Sequence, residues 1–532
     1  FDISYPNILV GALLGAATAT HGIAQAHFIS GLIHNTPPDS IPNIGDNLSP
    51  SHDNLSQTLP RRPLESLAFT EFRALSIGLP RALPMRVTRS RIISQAAILT
   101  VALCAAAAAR SPKIAREFDA TPPGSIVDVI IQYKQTPSAS QHAHVHARGG
   151  ALRRGLEVIR GGHYSLPASA LEELAADPDV EFIHPDRPLK AADFNGKMDY
   201  GWMTVTGITS PTGKLPYDGS GVGVAIIDSG ITGSSDLNGL LLSRIVYSEN
   251  FILHLEMYGH GTHVAGIIAG NGAQSSGLFS NYKIRGVAPN VNLIDLHALE
   301  SDGTGTDSSV IAAIQKAIAL KSAYNIRVIN LSLGRPVTGS YKNDPLCQAV
   351  EAAWKAGIVV VVAAGNDGRN DSAKTHGYGT ITAPGNDPYV ITVGALNTNG
   401  TASRTDDRPT SYSSKGPTLF DHIAKPDLLA PGNGICSIRS ALSKLDTQYP
   451  ANRVPSSAYS LPSLDASYFQ LSGTSMAAPM VSGAAALLLQ KNPKLTPDQV
   501  KAILLKTANK SLPAVSTVVD SATQAAYTVY GD

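Results

Sequence analysis

Apolar runs alternate with helical patterns from about residue 193 to residue 509. The uninterrupted apolar stretches at residues 224–227 and 358–362 are typical of strands that are buried on both faces of a sheet. Residues 309–320 and 345–356 instead space their apolar side chains as helices do. Because strands and helices alternate, the pattern predicts an α/β fold with a parallel sheet and helices on both faces.

A shorter pattern precedes this region and occupies residues 110–191. Residues 126–133 and 180–185 have the β-branched, apolar character of strands. Residues 152–159 and 167–176 predict helices, and the second of these helices ends before an Asp-Pro pair. The order of these elements predicts a small α+β domain ahead of the α/β domain.

Residues 85–109 have the three parts of a secretory signal peptide: a basic start, a short apolar middle and an alanine-rich end. Cleavage is expected near Ala109, and the signal predicts secretion. The alternative is a membrane anchor through residues 92–109, which are close to the minimum spanning length of about 17–18 residues. Residues 1–84 stay unassigned, either untranslated or disordered, because translation is expected to begin at Met85.

The composition of the 532 residues disfavours two classes of partner, nucleic acids and anionic membranes. With 42 Lys and Arg against 41 Asp and Glu, the formal charge is +1, so neither nucleic acid nor an anionic membrane is expected as a partner. Three cysteines are too few for a disulfide scaffold, and Cys104 falls in the targeting segment. Cys347 and Cys436 are therefore either two buried free thiols or a pair in an oxidising compartment.

Three polar residues stand where chemistry is favoured. Asp228 follows a buried strand, where open α/β sheets place their ligands, although an Asp there also shapes turns. His260 stands between glycines at the start of a helix, with His263 three residues on; without further ligands at metal spacing, a metal pair is disfavoured. Ser475 opens an apolar helix whose N-terminus favours a developing negative charge, or it is an ordinary cap.

Taken together, these residues are an acid, a base and a nucleophile, and their motifs resemble those of the subtilisin-like serine proteases, the subtilase family. The resemblance covers about residues 220–509. Its signatures are Asp228-Ser229-Gly230, Gly259-His260-Gly261-Thr262-His263 and Gly473-Thr474-Ser475-Met476-Ala477-Ala478-Pro479.

The resemblance implies a role for each matching residue. Asp228, His260 and Ser475 would form the catalytic triad, Asn366 would donate a hydrogen bond to the oxyanion, and His263 would be structural. Two segments would bind the substrate as walls of a cleft, by adding it as a strand. Their residues are Ser332, Leu333 and Gly334 on one side, and Gly303, Thr304 and Gly305 on the other. Thr382 would line the primary pocket.

The resemblance also implies an organisation and a set of partners. Residues 110–191 look like a subtilase propeptide that inhibits the enzyme intramolecularly, followed by a peptidase domain at 192–510 and a tail at 511–532. Self-cleavage is expected near residues 190–194; the alternative is an accessory domain that is never removed. The expected substrates are proteins or peptides, and the enzyme is expected to be a monomer and a secreted serine endopeptidase.

Other functions fit less well. An α/β-hydrolase lipase or esterase would place the acid and the histidine after the serine, whereas here Ser475 comes last. A pseudoenzyme is disfavoured because every catalytic position is filled. No cofactor is needed for the chemistry. Subtilases often bind calcium, and Asp236 resembles one ligand position, but the loop at residues 270–286 departs from the pattern, so no metal residues are assigned.

Overall fold

The computed structural model describes residues 110–191, 216–239, 242–253, 257–276, 284–400, 405–459, 465–513, 515–519 and 525–530. The predictions for residues 1–109, which include the signal peptide and its alternative as an anchor, lie outside the described residues. Within the described segments, no helix combines the length and the apolar character that a membrane crossing needs.

The helices, in chain order, are α1 (Ala139–His146), α2 (Leu171–Ala175), α3 (His260–Ala269), α4 (Asp307–Tyr324), α5 (Pro345–Lys355), α6 (Lys444–Gln448), α7 (Thr474–Lys491) and α8 (Pro497–Thr507). The strands are β1 (Ile126–Tyr133), β2 (Ala151–Leu156), β3 (Gly161–Pro167), β4 (Val180–Pro185), β5 (Pro188–Ala191), β6 (Gly223–Asp228), β7 (Ile245–Asn250), β8 (Asn292–His297), β9 (Thr304–Thr306), β10 (Ile326–Leu331), β11 (Leu333–Gly334), β12 (Val359–Ala363), β13 (Ile391–Asn397), β14 (Arg408–Pro409), β15 (Leu428–Pro431), β16 (Ile435–Ile438), β17 (Arg453–Val454), β18 (Tyr468–Leu471), β19 (Val515–Val519) and β20 (Ala526–Tyr530).

The N-terminal unit is an antiparallel sheet in the order β2-β3-β1-β4. The strands predicted at residues 126–133 and 180–185 are confirmed as β1 and β4. The helix predicted at residues 152–159 is wrong, because this stretch forms β2 and a 3-10 turn. Its apolar residues fall at helical spacing, but β2 pairs with β3 and Leu152 stays 46% exposed. A helix lies just upstream instead, where Ser138 caps α1.

The α/β domain confirms the predicted fold class. Its main sheet has the order β14-β13-β12-β10-β6-β8-β7, with β15 paired to β13, and every pairing is parallel except that of β14. Helices cover both faces; α3 packs against α7, and α4 packs against α5. All residues of β6, β12 and β13 are buried, as expected for strands covered on both sides.

The N-terminal unit contacts the α/β domain at two places. One is strand β5, which follows the four-stranded sheet in the chain, and the other is the start of helix α4 of the α/β domain. Strand β5 lies between β11 and β9 and is antiparallel to both. Just before it, the Asp186 carboxylate accepts hydrogen bonds from the backbone N–H and the hydroxyl of Ser308, both at 2.8 Å. Asp186 therefore caps the N-terminus of α4, where a negative charge is favourable.

Candidate active site

Asp228 and His260 form a buried pair at the edge of the sheet where the parallel strands end. Asp228 is the last residue of β6 and His260 is the first residue of α3. The Nδ1 atom of His260 lies 2.8 Å from Oδ1 of Asp228, and that oxygen also accepts the N–H of Ser229 at 2.7 Å. Since a carboxylate only accepts, Nδ1 carries the proton, and Nε2 is the basic nitrogen of this imidazole.

The glycine after His260 is required by the close approach of two backbone segments. A Cβ atom at Gly261 would lie 2.5 Å from the carbonyl oxygen of Gly230, a distance that real Cβ atoms do not show. This contact holds the start of α3 against the turn that follows Asp228. The Gly-His-Gly motif therefore sets the distance between the histidine and the acid.

Ser475 is the second residue of α7, and Gly473, with a positive φ of 151°, is the N-cap residue of this helix. The Ser475 hydroxyl donates to the carbonyl of Ser332 at 2.9 Å, and the Ser332 hydroxyl donates to the carbonyl of Ser475 at 2.8 Å. Ser475 is buried. This reciprocal pair joins the first turn of α7 to the residue after β10, so the serine is held at the same edge of the sheet as Asp228.

Two buried residues that the sequence analysis missed extend this network. The hydroxyl of Ser482, two turns along α7, donates to Oδ1 of Asn330 at 2.7 Å. Nδ2 of Asn330 then donates to the hydroxyl oxygen of Ser332 at 2.9 Å. Because every polar group in this series of hydrogen bonds has a partner, the series fixes the Ser332 side chain. Through that side chain it also fixes the backbone of Ser475. The signal that could have revealed Asn330 is a polar side chain inside an apolar strand.

Asn366 lies just after β12, beside the first residue of α7. Its Oδ1 accepts the backbone N–H of Thr474 at 3.0 Å and the Thr474 hydroxyl at 3.1 Å. The same hydroxyl accepts the N–H of Gly365 at 3.2 Å. Since Oδ1 is committed to Thr474, the amide presents Nδ2 as its donor, next to the residue that precedes Ser475.

The six residues predicted to bind substrate lie on both sides of β5. Strands β11 and β9 carry four of these residues, and the N–H of Ala191 donates to the carbonyl of Gly303 at 2.8 Å. The paired residues are Leu333 with Ala191, Gly334 with Lys190, Thr304 with Lys190, and Gly305 with Leu189. Ser332 directly precedes β11 and exchanges hydrogen bonds with Ser475. Strand β5 therefore lies as an added strand between the two segments that were predicted to bind substrate.

Thr382 lies against Gly334, in one of the segments that were predicted to bind substrate. A Cβ atom at Gly334 would meet its hydroxyl oxygen at 2.5 Å, and one at Gly365 would meet its methyl carbon at 2.7 Å. Its hydroxyl donates to the carbonyl of Ala364 at 3.3 Å. The residue predicted for the primary pocket is thus packed between β11 and the segment that carries Asn366.

The hydrogen bonds of His263 indicate a structural role for this side chain. Its Nε2 lies 3.1 Å from the carbonyl of Ile435 and 3.0 Å from that of Phe469, so Nε2 carries the proton and donates to both. Burial, reinforced by the nearby His260, lowers the pKa of His263 to about 3. A neutral His263 therefore ties helix α3 to strands β16 and β18.

The surroundings of Asp236 do not fit a calcium site. Its Oδ2 accepts the hydroxyl of Tyr468 at 2.6 Å, and its Oδ1 accepts the N–H of Gln274 at 2.7 Å. Burial raises the pKa of Asp236. A hard cation needs six or more oxygen ligands around it, whereas these neighbours direct protons at the carboxylate. In the described ranges, no group of three or more His, Cys, Asp or Glu side chains could hold a metal ion.

Cys347 and Cys436 are both buried free thiols. Burial raises the pKa of each thiol, so neither is a reactive thiolate. The sequence left open whether these cysteines are two free thiols or a disulfide pair, and in the structure they are two free thiols.

Comparison with known proteins identifies the family. The model of the subtilase family matches residues 219–527. Serine protease AprX of Bacillus subtilis is 42% identical over 304 residues, which are 55% of this chain and 62% of AprX. Subtilisin E of the same organism is 35% identical over 385 residues, which are 71% of this chain and 84% of subtilisin E. The matched part thus spans less than two thirds of AprX but most of subtilisin E.

A solved structure agrees with the fold. The crystal structure of fervidolysin from Fervidobacterium pennivorans, a keratinolytic enzyme related to subtilisin, matches with a TM-score of 0.52 and 23% identity. The match covers 73% of this chain and 58% of fervidolysin. The chain belongs to the subtilase family of serine-type endopeptidases.

Proposed function

We propose that the protein is a secreted serine endopeptidase that hydrolyses peptide bonds through Asp228, His260 and Ser475 and an acyl-enzyme. The observation that supports this most directly is the 2.8 Å pair of Asp228 and His260 at the sheet edge to which Ser475 is also held. Secretion is supported by the sequence of residues 85–109, which lie outside the described part.

The mechanism follows from the chemistry of these groups. The Ser475 hydroxyl turns from the Ser332 carbonyl and gives its proton to Nε2 of His260 as Oγ attacks the substrate carbonyl carbon. Asp228 holds the tautomer and stabilises the imidazolium. Nδ2 of Asn366 and the N–H of Ser475 bind the oxyanion. His260 then protonates the leaving amine, and water, deprotonated by the same nitrogen, releases the acid and restores the serine.

The protein is made as a self-processing precursor in which residues 110–191 inhibit the enzyme. The pairing of β5 with both walls of the cleft supports this, because β5 occupies the place of an extended substrate. The cap that Asp186 provides to α4 supports the same conclusion. Self-cleavage falls near residues 190–194, of which residues 192–194 lie outside the described segments. A retained accessory domain would leave the cleft blocked.

The orientation of β5 suggests the side chains that a substrate presents. Leu189 and Ala191 are buried, with 3% exposure each, while Lys190 between them is exposed. Alternate side chains of a strand point to opposite sides. Substrates with apolar or small residues at the positions of Leu189 and Ala191 are therefore favoured, and the position of Lys190 is permissive.

Covalent labelling tests the proposal. The processed protein is treated with a serine-directed phosphonate, and the adduct is mapped by mass spectrometry; it should fall on Ser475. The Ser475→Ala variant should stay an uncut precursor, with a loss of turnover on the order of 10⁶, the size of this loss in subtilisin itself. Ser511→Ala, which changes an exposed serine, is the matched control and should be labelled and processed normally.

Two outcomes would contradict the proposal. Efficient self-processing by Ser475→Ala would exclude this serine as the nucleophile. A correctly folded parent protein that takes no label and cleaves no peptide would instead point to a pseudoenzyme that keeps the scaffold without turnover.

A further inference from the structure

A buried group of three charged residues joins the ends of strands β9 and β11. Nε of Arg335 donates to Oδ1 of Asp307 at 2.8 Å, and Nη2 of Arg335 donates to both carboxylate oxygens of Asp344, at 2.8 and 2.7 Å. The side chains of Arg335, Asp307 and Asp344 are 2%, 0% and 4% exposed. These three residues, the Arg335 cluster, are therefore almost completely removed from water.

The Arg335 cluster lies where both strands end. Asp307 directly follows β9, and Arg335 directly follows β11. Strand β5 lies between these two strands and is antiparallel to both, so β9 and β11 run in the same direction. The bond between Arg335 and Asp307 therefore links the two neighbours of β5 directly. These neighbours belong to the two segments that are proposed to bind substrate.

Each member of the cluster is also fixed to the rest of the α/β domain. Asp344 caps helix α5, where its Oδ1 accepts the N–H of Leu346 at 3.0 Å. The backbone of Arg335 pairs with that of Ala383 in both directions, with N–H to carbonyl distances of 3.0 and 2.9 Å. Asp307 is the first residue of α4. The link between β9 and β11 is therefore anchored at points that do not belong to β5.

The burial of these charges is better explained by geometry than by stability. Apolar residues of similar volume often stabilise a protein as well as a buried ion pair does, because the ions lose their hydration. The planar fork of an arginine instead fixes the direction and the distance of its carboxylate partners. Paired strands lie about 4.7–4.9 Å apart, so a strand enters between two others only if their separation is about 10 Å.

We propose that Asp307 and Arg335 are positioning residues that keep β9 and β11 at the separation needed by an extended substrate once β5 has left. The inference rests on the proposed function, in which β5 is cut from the enzyme and a substrate takes its place. Neither side chain is assigned a role in the chemical step. Their loss should therefore affect substrates that pair with both strands more than substrates that do not.

The test compares two substrates of the processed enzyme in the parent and in Asp307→Ala, which cuts the link and keeps the pair of Arg335 and Asp344. One substrate is a peptide nitroanilide long enough to take the place of residues 188–191, and the other is p-nitrophenyl acetate, which has no backbone to add as a strand. The ratio of kcat/KM for the peptide to kcat/KM for the ester should fall about 10- to 100-fold, because the spacing for the strand is no longer preset. Most of this fall should appear as a higher KM for the peptide.

Two further variants show whether the effect belongs to the link. Asp307→Asn keeps an acceptor for Arg335 and should show a smaller fall in the same ratio. Arg327→Met is the matched control, because it removes an arginine that donates to the carbonyls of Pro493 and Leu495, outside the segments proposed to bind substrate. Its ratio should stay within about twofold of that of the parent.

The outcomes separate this inference from the proposed function. An active parent whose ratio is unchanged in Asp307→Ala, or an equal fall in Arg327→Met, would overturn the inference alone. If Asp307→Ala does not fold, a ratio in Asp307→Asn equal to that of the parent overturns it as well. If Asp307→Ala folds but is processed more slowly than Arg327→Met, the inference is supported, because β5 is itself an extended strand between β9 and β11. A parent that hydrolyses neither substrate would contradict the proposed function, and the inference would fall with it.

Discussion

Thr474 positions the amide that is proposed to bind the oxyanion, and Thr474→Val tests this role. Valine keeps the branched shape of the side chain and removes only the hydroxyl. In the structure that hydroxyl donates to Oδ1 of Asn366 at 3.1 Å and accepts the N–H of Gly365 at 3.2 Å. The backbone N–H of Thr474 still holds Oδ1, at 3.0 Å. The amide should therefore be loosened and not released.

The magnitude follows from these two bonds. A neutral hydrogen bond contributes about 0.5–1.5 kcal/mol, and a buried N–H left without an acceptor costs about 1–3 kcal/mol. If about 1–2 kcal/mol of this appears in the transition state, kcat falls about 5- to 30-fold. Asn366→Ala deletes the donor itself and should cost more, about 10²–10³, the range that loss of such a donor has in subtilisin itself.

Steady-state hydrolysis of a chromogenic peptide, with the enzyme concentration set by active-site titration, measures the effect. KM should change little, because the oxyanion forms only after binding. Thr474→Ser keeps the hydroxyl and serves as the control. If kcat of Thr474→Val lies within about twofold of that of Thr474→Ser, or if only KM changes, the positioning argument is refuted.

Three further outcomes are expected. Leu189→Asp should slow self-processing about 10- to 100-fold, since seating a leucine contributes about 1.5–3 kcal/mol; an equal effect of Lys190→Asp on the exposed face would count against it. Tyr468→Phe removes the hydroxyl that donates to Asp236 and should destabilise the protein by about 1.5–3 kcal/mol. Because the surroundings of Asp236 do not fit a calcium site, a chelator should leave the melting temperature of the parent unchanged. Because burial lowers the pKa of His263 to about 3 from its usual 6.5, only the unfolded chain gains this proton between these values. Stability should therefore fall by about 1.4 kcal/mol per pH unit as pH drops from 6.5 to 3, and melting curves of His263→Gln should show a shallower fall.

Local sequence patterns predicted the position of a residue correctly where that position depends only on the helix or strand that contains the residue. The apolar strands and the helix starts of the α/β domain follow from runs of neighbouring residues, so Asp228 was placed at a strand end and His260 and Ser475 at helix starts. The error at residues 152–159 has the opposite origin. Apolar spacing there suits a helix, but the partner strand β3 decided in favour of β2, and no local signal contains that partner.

The sequence by itself determined the family, the order of the three residues proposed as acid, base and nucleophile, and the α/β class, because motif and periodicity are properties of adjacent residues. Only the tertiary structure decided that β5 lies between β11 and β9, and that Ser482 and Asn330 hold Ser332. These contacts join elements distant in the chain. The packing of helices on the sheet sets which side chains meet, and sequence spacing does not encode that.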